Sequence, residues 1–73
     1  MFIKVNEVWG MKIRPVYLNV NLITDVADAW NKSNSELKAN ATIGMISTDG
    51  ENNPLIFRVT ETVEEVMELI NGN

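Results

Sequence analysis

The sequence predicts an α+β fold in which an antiparallel β-meander of about five short strands is closed by one C-terminal helix. Two observations lead to this prediction. Apolar and polar residues alternate in several short segments from Phe2 onwards, which is typical of half-buried strands. The segment after Thr62 instead repeats its apolar residues every three or four positions, which is typical of an amphipathic helix. With 73 residues, the chain is expected to be a single small domain, residues 1–73.

The first two strands are predicted at Phe2–Trp9 and Lys12–Asn19, with Gly10 marking the turn between them. Pro15 lies within the second strand. Because proline has no N–H to donate to a ladder, this strand is expected at an edge of the sheet or at a bulge. The residues expected to face inward are Ile3, Val5, Trp9, Val16 and Leu18, with Glu7 interrupting the row and Tyr17 on the opposite face.

The middle of the chain is the least clearly patterned part. Asn19–Asn21 is a predicted turn, since asparagine tolerates the left-handed and self-bonded conformations that tight turns need. The stretch Leu22–Trp30 repeats apolar residues every four positions, as a helix does, but its β-branched pair Ile23 and Thr24 favours a strand. We predict a strand, with a helix as the alternative. Residues 31–40 are predicted to form a polar exposed connector or a frayed helical turn, with a binding loop as the alternative.

Two further strands are predicted at Ala41–Thr48 and Leu55–Val59, joined by a turn at Asp49–Pro54. This turn opens with the Asp-Gly pair that hairpins favour. Its oxygen-bearing side chains also resemble calcium ligands, but the glycine and the last acidic ligand of a calcium loop are out of place. The sequence therefore predicts no metal site and no cofactor.

The C-terminal helix is the most strongly specified element. Thr62 and Glu65 have the spacing of a capping box, which starts the helix at Val63. Gly72 is expected to end it in the left-handed conformation. The apolar stripe expected to face the core consists of Val63, Val66, Met67 and Ile70.

The net charge of −4 is confined to this helical segment. Residues 1–60 carry all six Lys and Arg and six of the ten Asp and Glu, so they are neutral. The four remaining acids are Glu61, Glu64, Glu65 and Glu68. The helix dipole stabilises acids in a first turn, which explains most of this cluster structurally. The alternative is that these four glutamates form a docking face for a basic protein partner.

The absence of Cys and His excludes most compact catalytic mechanisms. It removes thiol nucleophiles, disulfides, the usual nitrogen and sulfur ligands of zinc, and imidazole acid–base chemistry. The close acid pair away from the helix, Asp25 and Asp28, would point to opposite faces of a strand. We therefore predict no catalytic residues and no enzymatic activity.

Nucleic acid and membrane partners are not favoured. Binding to phosphates needs clustered bases, and the only candidates are the scattered Lys4, Lys12, Arg14 and Arg58. No apolar run approaches the ~20 residues of a membrane-spanning helix, and no signal peptide is recognisable. The expected location is cytoplasmic.

Self-association is the remaining expectation. A single core in a chain of this size supplies about 3 to 5 kcal/mol of stability, and this one has no disulfide to add to it. Trp9, Met11 and Trp30 lie near predicted turns or strand ends, where large apolar side chains often belong to interfaces. They are the candidate self-association residues of a homo-oligomer. The alternative is that both tryptophans complete a monomeric core.

Three stretches, Ile3–Val5, Val16–Ile23 and Val59–Val66, together resemble the small flagellar FlbD-like family, which is associated with swarming motility in bacteria. The second is similar to the family's strand followed by an Asn-x-x-Leu-Ile turn, and the third to its Ser/Thr-Val-Glu-Glu-Val helix start. The resemblance implies a motility accessory factor without catalytic residues. The sequence thus favours a non-enzymatic interaction or oligomerisation module. The alternatives are a small phage or mobile-element protein that shares only the fold, and a weak nucleic-acid-binding β-domain.

Overall fold

The computed structural model describes residues 1–29, 39–46 and 55–72. These ranges hold five strands, a short 3₁₀ helix and one α-helix. In chain order they are β1 (Phe2–Trp9), β2 (Lys12–Asn19), the 3₁₀ helix η1 (Val20–Leu22), β3 (Ile23–Asp28), β4 (Ala41–Met45), β5 (Leu55–Val59) and α1 (Val63–Asn71). The predicted α+β class, with five antiparallel strands and a C-terminal helix, is confirmed.

The five described strands form one antiparallel sheet in the order β2-β1-β5-β4-β3. β1 and β2 form a hairpin that is paired along its whole length. β3, β4 and β5 form a three-stranded meander, which joins the hairpin where Glu7 of β1 pairs with Val59 of β5. β2 is therefore an edge strand, in agreement with the prediction from Pro15.

The connection between β2 and β3 requires the sheet to curve. These two strands lie at opposite edges, which in a flat sheet of five strands would be about 19 Å apart. The four peptide steps across η1 span at most about 14 Å. η1 also bonds to both halves of the sheet: the Val20 N–H donates to the Met1 carbonyl at 3.0 Å, and the Ile46 N–H donates to the Leu22 carbonyl at 2.8 Å. The curved sheet thus has a distinct inner and outer face.

The core lies between the inner face of the sheet and α1. It contains Ile3, Val5, Leu18, Ala41, Ile43, Met45, Val59 and Val66, all of them buried. Full burial of one such aliphatic side chain contributes about 1.5 to 3 kcal/mol, so a few side chains account for most of the stability of the domain. Val66 is the contribution of α1 to this fully buried set.

Three boundary predictions differ from the structure. The stretch predicted as a strand from Leu22 is confirmed as a strand, β3, but it begins at Ile23, because Leu22 belongs to η1, and it ends at Asp28. β4 ends at Met45 rather than Thr48, because its partner strand β3 begins at Ile23, opposite Met45, and the Ile46 N–H donates to Leu22 of η1. Gly72 has a φ of −80°, in the right-handed region, so the predicted left-handed end of α1 is wrong. The Gly72 N–H donates to the Glu68 carbonyl at 2.6 Å, which continues the helical bonding pattern by one residue.

The predicted turn at 49–54 lies outside the described residues, as do residues 31–38 of the predicted exposed connector. The last two connector residues contradict the prediction, because Ala39 is buried and the Asn40 N–H donates to the Val59 carbonyl at 2.8 Å.

The predicted apolar stripe of α1 is wrong at one position. Met67 is 40% exposed, whereas Leu69 packs against the core. The reason is that Val66, which is fully buried, lies at the centre of the packed face. At about 100° per residue, Leu69 is about 60° from Val66 around the helix and Met67 is about 100° from it. The inward face is therefore turned away from Met67.

The capping box at the start of α1 is confirmed. The Glu65 N–H donates to Thr62 Oγ1 at 3.1 Å, and the Thr62 N–H donates to Glu65 Oε1 at 3.1 Å. We expect Thr62→Ala to lower the free energy of unfolding by about 1 kcal/mol, because it removes the acceptor of a first-turn N–H. Urea denaturation measures this change, and Thr62→Ser is the control that keeps the hydroxyl. Equal midpoints for Thr62→Ala and the unaltered protein would show that the box adds nothing to stability.

Candidate interaction surfaces

An open groove with an acidic border lies between β1 and α1. It has a volume of about 480 Å³ and is lined by Lys4, Glu61, Glu65, Glu68, Leu69 and Gly72. We call it the acidic groove. It brings together three of the four glutamates that the sequence predicts as a docking face and leaves out Glu64. No cluster of acids within the described ranges has the arrangement of a metal site.

Glu61 forms a clamp between the start of the helical segment and β1. Its Oε1 accepts the Asn6 backbone N–H at 3.0 Å, and its Oε2 accepts Asn6 Nδ2 at 2.8 Å. The neighbouring Thr60 N–H donates to the Asn6 carbonyl at 2.9 Å. Asn6 is thus held at its backbone and its side chain. The position of Glu61 before the helix gives it a structural task that composition alone does not reveal.

The four predicted docking acids therefore fall into two pairs. Glu61 is bonded to Asn6, and Glu65 is committed to the capping box with Thr62. Glu64 and Glu68 are exposed on α1, and their side chains form no hydrogen bond or ion pair with other described residues. Docking of a basic partner stays a prediction, and Glu64 and Glu68 are the acids free to take part in it.

A charged and aromatic cluster lies at the turn end of the hairpin. Glu7 is only 4% exposed although its side chain carries a charge. Its Oε1 accepts Arg14 Nε at 2.9 Å, and the Arg14 guanidinium carbon lies 4.3 Å from the centre of the Trp9 ring. Glu7 and Arg14 are directly opposite each other in the β1–β2 register. The sequence signal was present, because Glu7 occupies an inward position of the alternating pattern, but its partner follows only from the register.

The four bases that the sequence offers as nucleic-acid contacts lie on two different faces of the sheet. Lys12 and Arg14 lie on the same face as the inward Val5, where Arg14 is bound to Glu7. Lys4 and Arg58 lie on the outer face, since each neighbours an inward residue of its strand. These four bases form no continuous basic surface, which counterion release from a phosphate backbone requires.

The carboxylate pair Asp25 and Asp28 is separated by the strand that holds it. In the β3–β4 register Asp25 is opposite Gly44 and Asp28 is opposite Ala41. Gly44 and Ala41 are three residues apart on one strand, so the two carboxylates lie on opposite faces of the sheet. They do not form the close dyad that shared-proton chemistry needs.

The outer side of the hairpin carries an unusual number of exposed apolar side chains. The buried Ile3, Val5 and Leu18 fix the inner face, so the residues that alternate with them point outward. The outward apolar residues of the hairpin are Phe2, Val8, Ile13, Pro15 and Tyr17. We call this set the hairpin face. Phe2 is 62% and Tyr17 is 67% exposed.

The predicted self-association residues do not belong to the hairpin face. Trp9 is 58% exposed and points to the inner side, beyond the end of the core, where Arg14 packs on it. Met11 is 73% exposed in the two-residue turn, next to Gly10, whose φ is +61°. Trp30 lies outside the described residues. The sequence analysis thus identified exposed apolar residues near the turn but missed the larger set along the hairpin.

No family model, curated protein or solved structure matches this chain. One exclusion comes directly from the fold: within the described ranges, no helix combines the length and apolar character needed to cross a bilayer.

Proposed function

We propose that this chain is a non-enzymatic protein-interaction module that associates with copies of itself. One observation carries the proposal. Ten large apolar side chains in the described ranges are 40% or more exposed, and the buried hydrophobic core of the same ranges also has ten residues, of which three are alanine. Where such exposed apolar side chains form a contiguous patch, they are typical of an interaction surface.

Self-association adds buried apolar surface to a domain whose own core is small. The core contributes only about 3 to 5 kcal/mol in domains of this length, and the apolar side chains left outside it are those with the largest area still to bury. Removing them from water against a second copy stabilises the folded state by mass action, because the unfolded chain does not bind. A catalytic alternative has no support among the described residues, since the acid pair of β3 is split between two faces.

The molar mass in solution tests this proposal. Size-exclusion chromatography with light scattering, run from about 1 to 100 µM, should give a mass that rises above 8.2 kDa with concentration. The fold of the same sample is checked by circular dichroism. A mass of 8.2 kDa over the whole range, with the fold intact, would overturn self-association.

The resemblance to the FlbD-like family extends the proposal to a cellular setting, a motility accessory factor in the bacterial cytoplasm. The three resembling stretches meet in the fold: Ile3–Val5 pairs with the strand end of Val16–Ile23, and Val59–Val66 supplies the end of β5 and the start of α1. They share one core, which supports a similarity of packing. Deletion of the gene should reduce swarming. Unchanged swarming of the deletion strain would remove this setting and leave the self-association proposal untouched.

A further inference from the structure

We infer that the hairpin face is the surface through which two copies of this chain pair, face to face, in a two-fold symmetric dimer. This inference rests on the proposed self-association and specifies which surface carries it. It differs from the sequence prediction, which places self-association at Trp9, Met11 and Trp30.

The apolar surface of the hairpin face is continuous along β2. Ile13, Pro15 and Tyr17 are alternate residues of β2, so their side chains follow one another on the outer face at intervals of about 7 Å. Ile13 lies opposite Val8 in the register, and Tyr17 lies diagonally from Phe2. The apolar row therefore runs the full length of the hairpin. Ile56, which is 65% exposed, lies on the outer face of β5, the strand next to β1 in the sheet.

The hairpin face exposes a substantial part of the area that each copy must bury in a stable dimer. One partner of a specific complex buries about 800 Å². A whole aromatic side chain offers about 200 Å². With 62% of Phe2 and 67% of Tyr17 exposed, these two rings supply roughly a third of the requirement. Ile13, Ile56 and the side-chain stems of Lys4 and Arg58 lie on the same outer side and provide further area.

The free edge of β2 is poorly suited to pairing with a strand of a second copy. Trp9 and Lys12 flank the two-residue turn and form its closing hydrogen-bonded pair, and bonded and non-bonded pairs alternate from there. Ile13, Pro15 and Tyr17 accordingly direct their backbone groups to the free edge of β2. Pro15 has no N–H at the middle of this edge, which interrupts the ladder that an added strand would form. The side chains of the same residues remain available on the outer face.

The charges beside the hairpin face are of both signs and can pair with those of a second copy. The outer face carries the cations Lys4 and Arg58, and neither forms an ion pair with other residues in the described ranges. The acidic groove lies beside Lys4, and Glu68 lines it. In a two-fold interface each contact is made twice, so the cations of one copy can meet the acidic border of the other, and the reverse. Lys4 lies opposite Tyr17 on the outer face and also lines the acidic groove, so charges of both signs border the apolar surface, as a self-complementary interface requires.

The test compares substitutions on the hairpin face with a matched substitution beside it. At about 100 µM the unaltered protein is expected at twice 8.2 kDa, and the double variant Phe2→Ser, Tyr17→Ser at 8.2 kDa with an unchanged circular dichroism spectrum. Met11→Ser is the control, because Met11 is 73% exposed but lies in the turn. It should keep the mass of the unaltered protein.

The outcomes separate this inference from the proposed function. A double variant that stays dimeric overturns the hairpin face as the interface while self-association stands. Loss of the dimer in Met11→Ser, but not in the double variant, assigns the interface to the turn instead. A monomeric unaltered protein removes both proposals. If the double variant is unfolded, the single variant Ile13→Lys replaces it, since a charge in the middle of an apolar interface weakens association at least tenfold with one exposed side chain changed.

Discussion

Arg14→Ala is expected to lower the free energy of unfolding by about 2 to 4 kcal/mol, which is most of the stability of a domain of this size. The substitution leaves the Glu7 carboxylate, only 4% exposed, without the guanidinium that it accepts from at 2.9 Å. A buried charge without its partner is far more costly than the pair itself. The Arg14 side chain is 52% exposed, so water partly replaces it and the expected loss is below that of a fully buried pair.

Urea denaturation followed by circular dichroism measures this loss. Lys12→Ala is the matched control, because Lys12 lies on the same face of β2 but its side chain forms no hydrogen bond or ion pair with other described residues. It should change the unfolding free energy by less than about 0.5 kcal/mol. Replacing both partners, Glu7→Leu with Arg14→Leu, should recover most of the stability, since apolar pairs often substitute for buried ion pairs. If the single and double variants are equally destabilised, the cost does not come from an unpaired carboxylate.

Glu61→Ala is expected to lower the free energy of unfolding by about 2 to 3 kcal/mol, because two charge-assisted hydrogen bonds to Asn6 are lost together. These bonds join the start of the helical segment to β1 across 55 residues of sequence. Their loss should also expose the Asn6 N–H, which would show as faster hydrogen exchange at this amide than in the unaltered protein.

Glu64→Ala supplies the matched control for Glu61→Ala. Both remove one glutamate from the same acidic segment, so they change the net charge equally, but Glu64 is exposed and its side chain forms no hydrogen bond or ion pair with the described part of the chain. Its expected effect is within about 0.5 kcal/mol. Similar losses for the two variants would mean that charge, rather than the bonds to Asn6, determines the effect. The comparison also separates the structural acid from those available for docking.

The elements that depend on local chemistry could be predicted closely from the sequence. The bounds of β1, β2 and β5 agree with the prediction, since alternation, a glycine turn and a strand proline are properties of adjacent residues. The start of α1 agrees because a capping box is a contact between Thr62 and Glu65. The end of α1 does not, since Gly72 can adopt either hand and tertiary packing decides which.

The features that depend on long-range pairing could not be predicted. Alternation shows that Glu7 faces inward, but its pairing with Arg14 follows from the hairpin register, and its place beside Val59 follows from the strand order. The hairpin face has the same origin, because residues such as Phe2 and Tyr17 are apolar in the sequence whether the fold covers them or not. Glu61 is the clearest example of a residue whose structural role could not be predicted from the sequence. Charge counting groups it with three other acids, and only the fold shows that it holds Asn6.

The pairing of β1 with β5 has a consequence for how the domain is made. Glu7 and its partner Val59 are 52 positions apart. At translation rates of about 5 to 20 residues per second, β5 leaves the ribosome roughly 3 to 10 s after β1. During that interval the β1–β2 hairpin can form, but both of its faces are open to water, because β5 and α1 do not yet exist. The inner face is covered when synthesis completes the meander and helix, whereas the outer face, with Phe2, Ile13 and Tyr17, is still exposed in the finished chain.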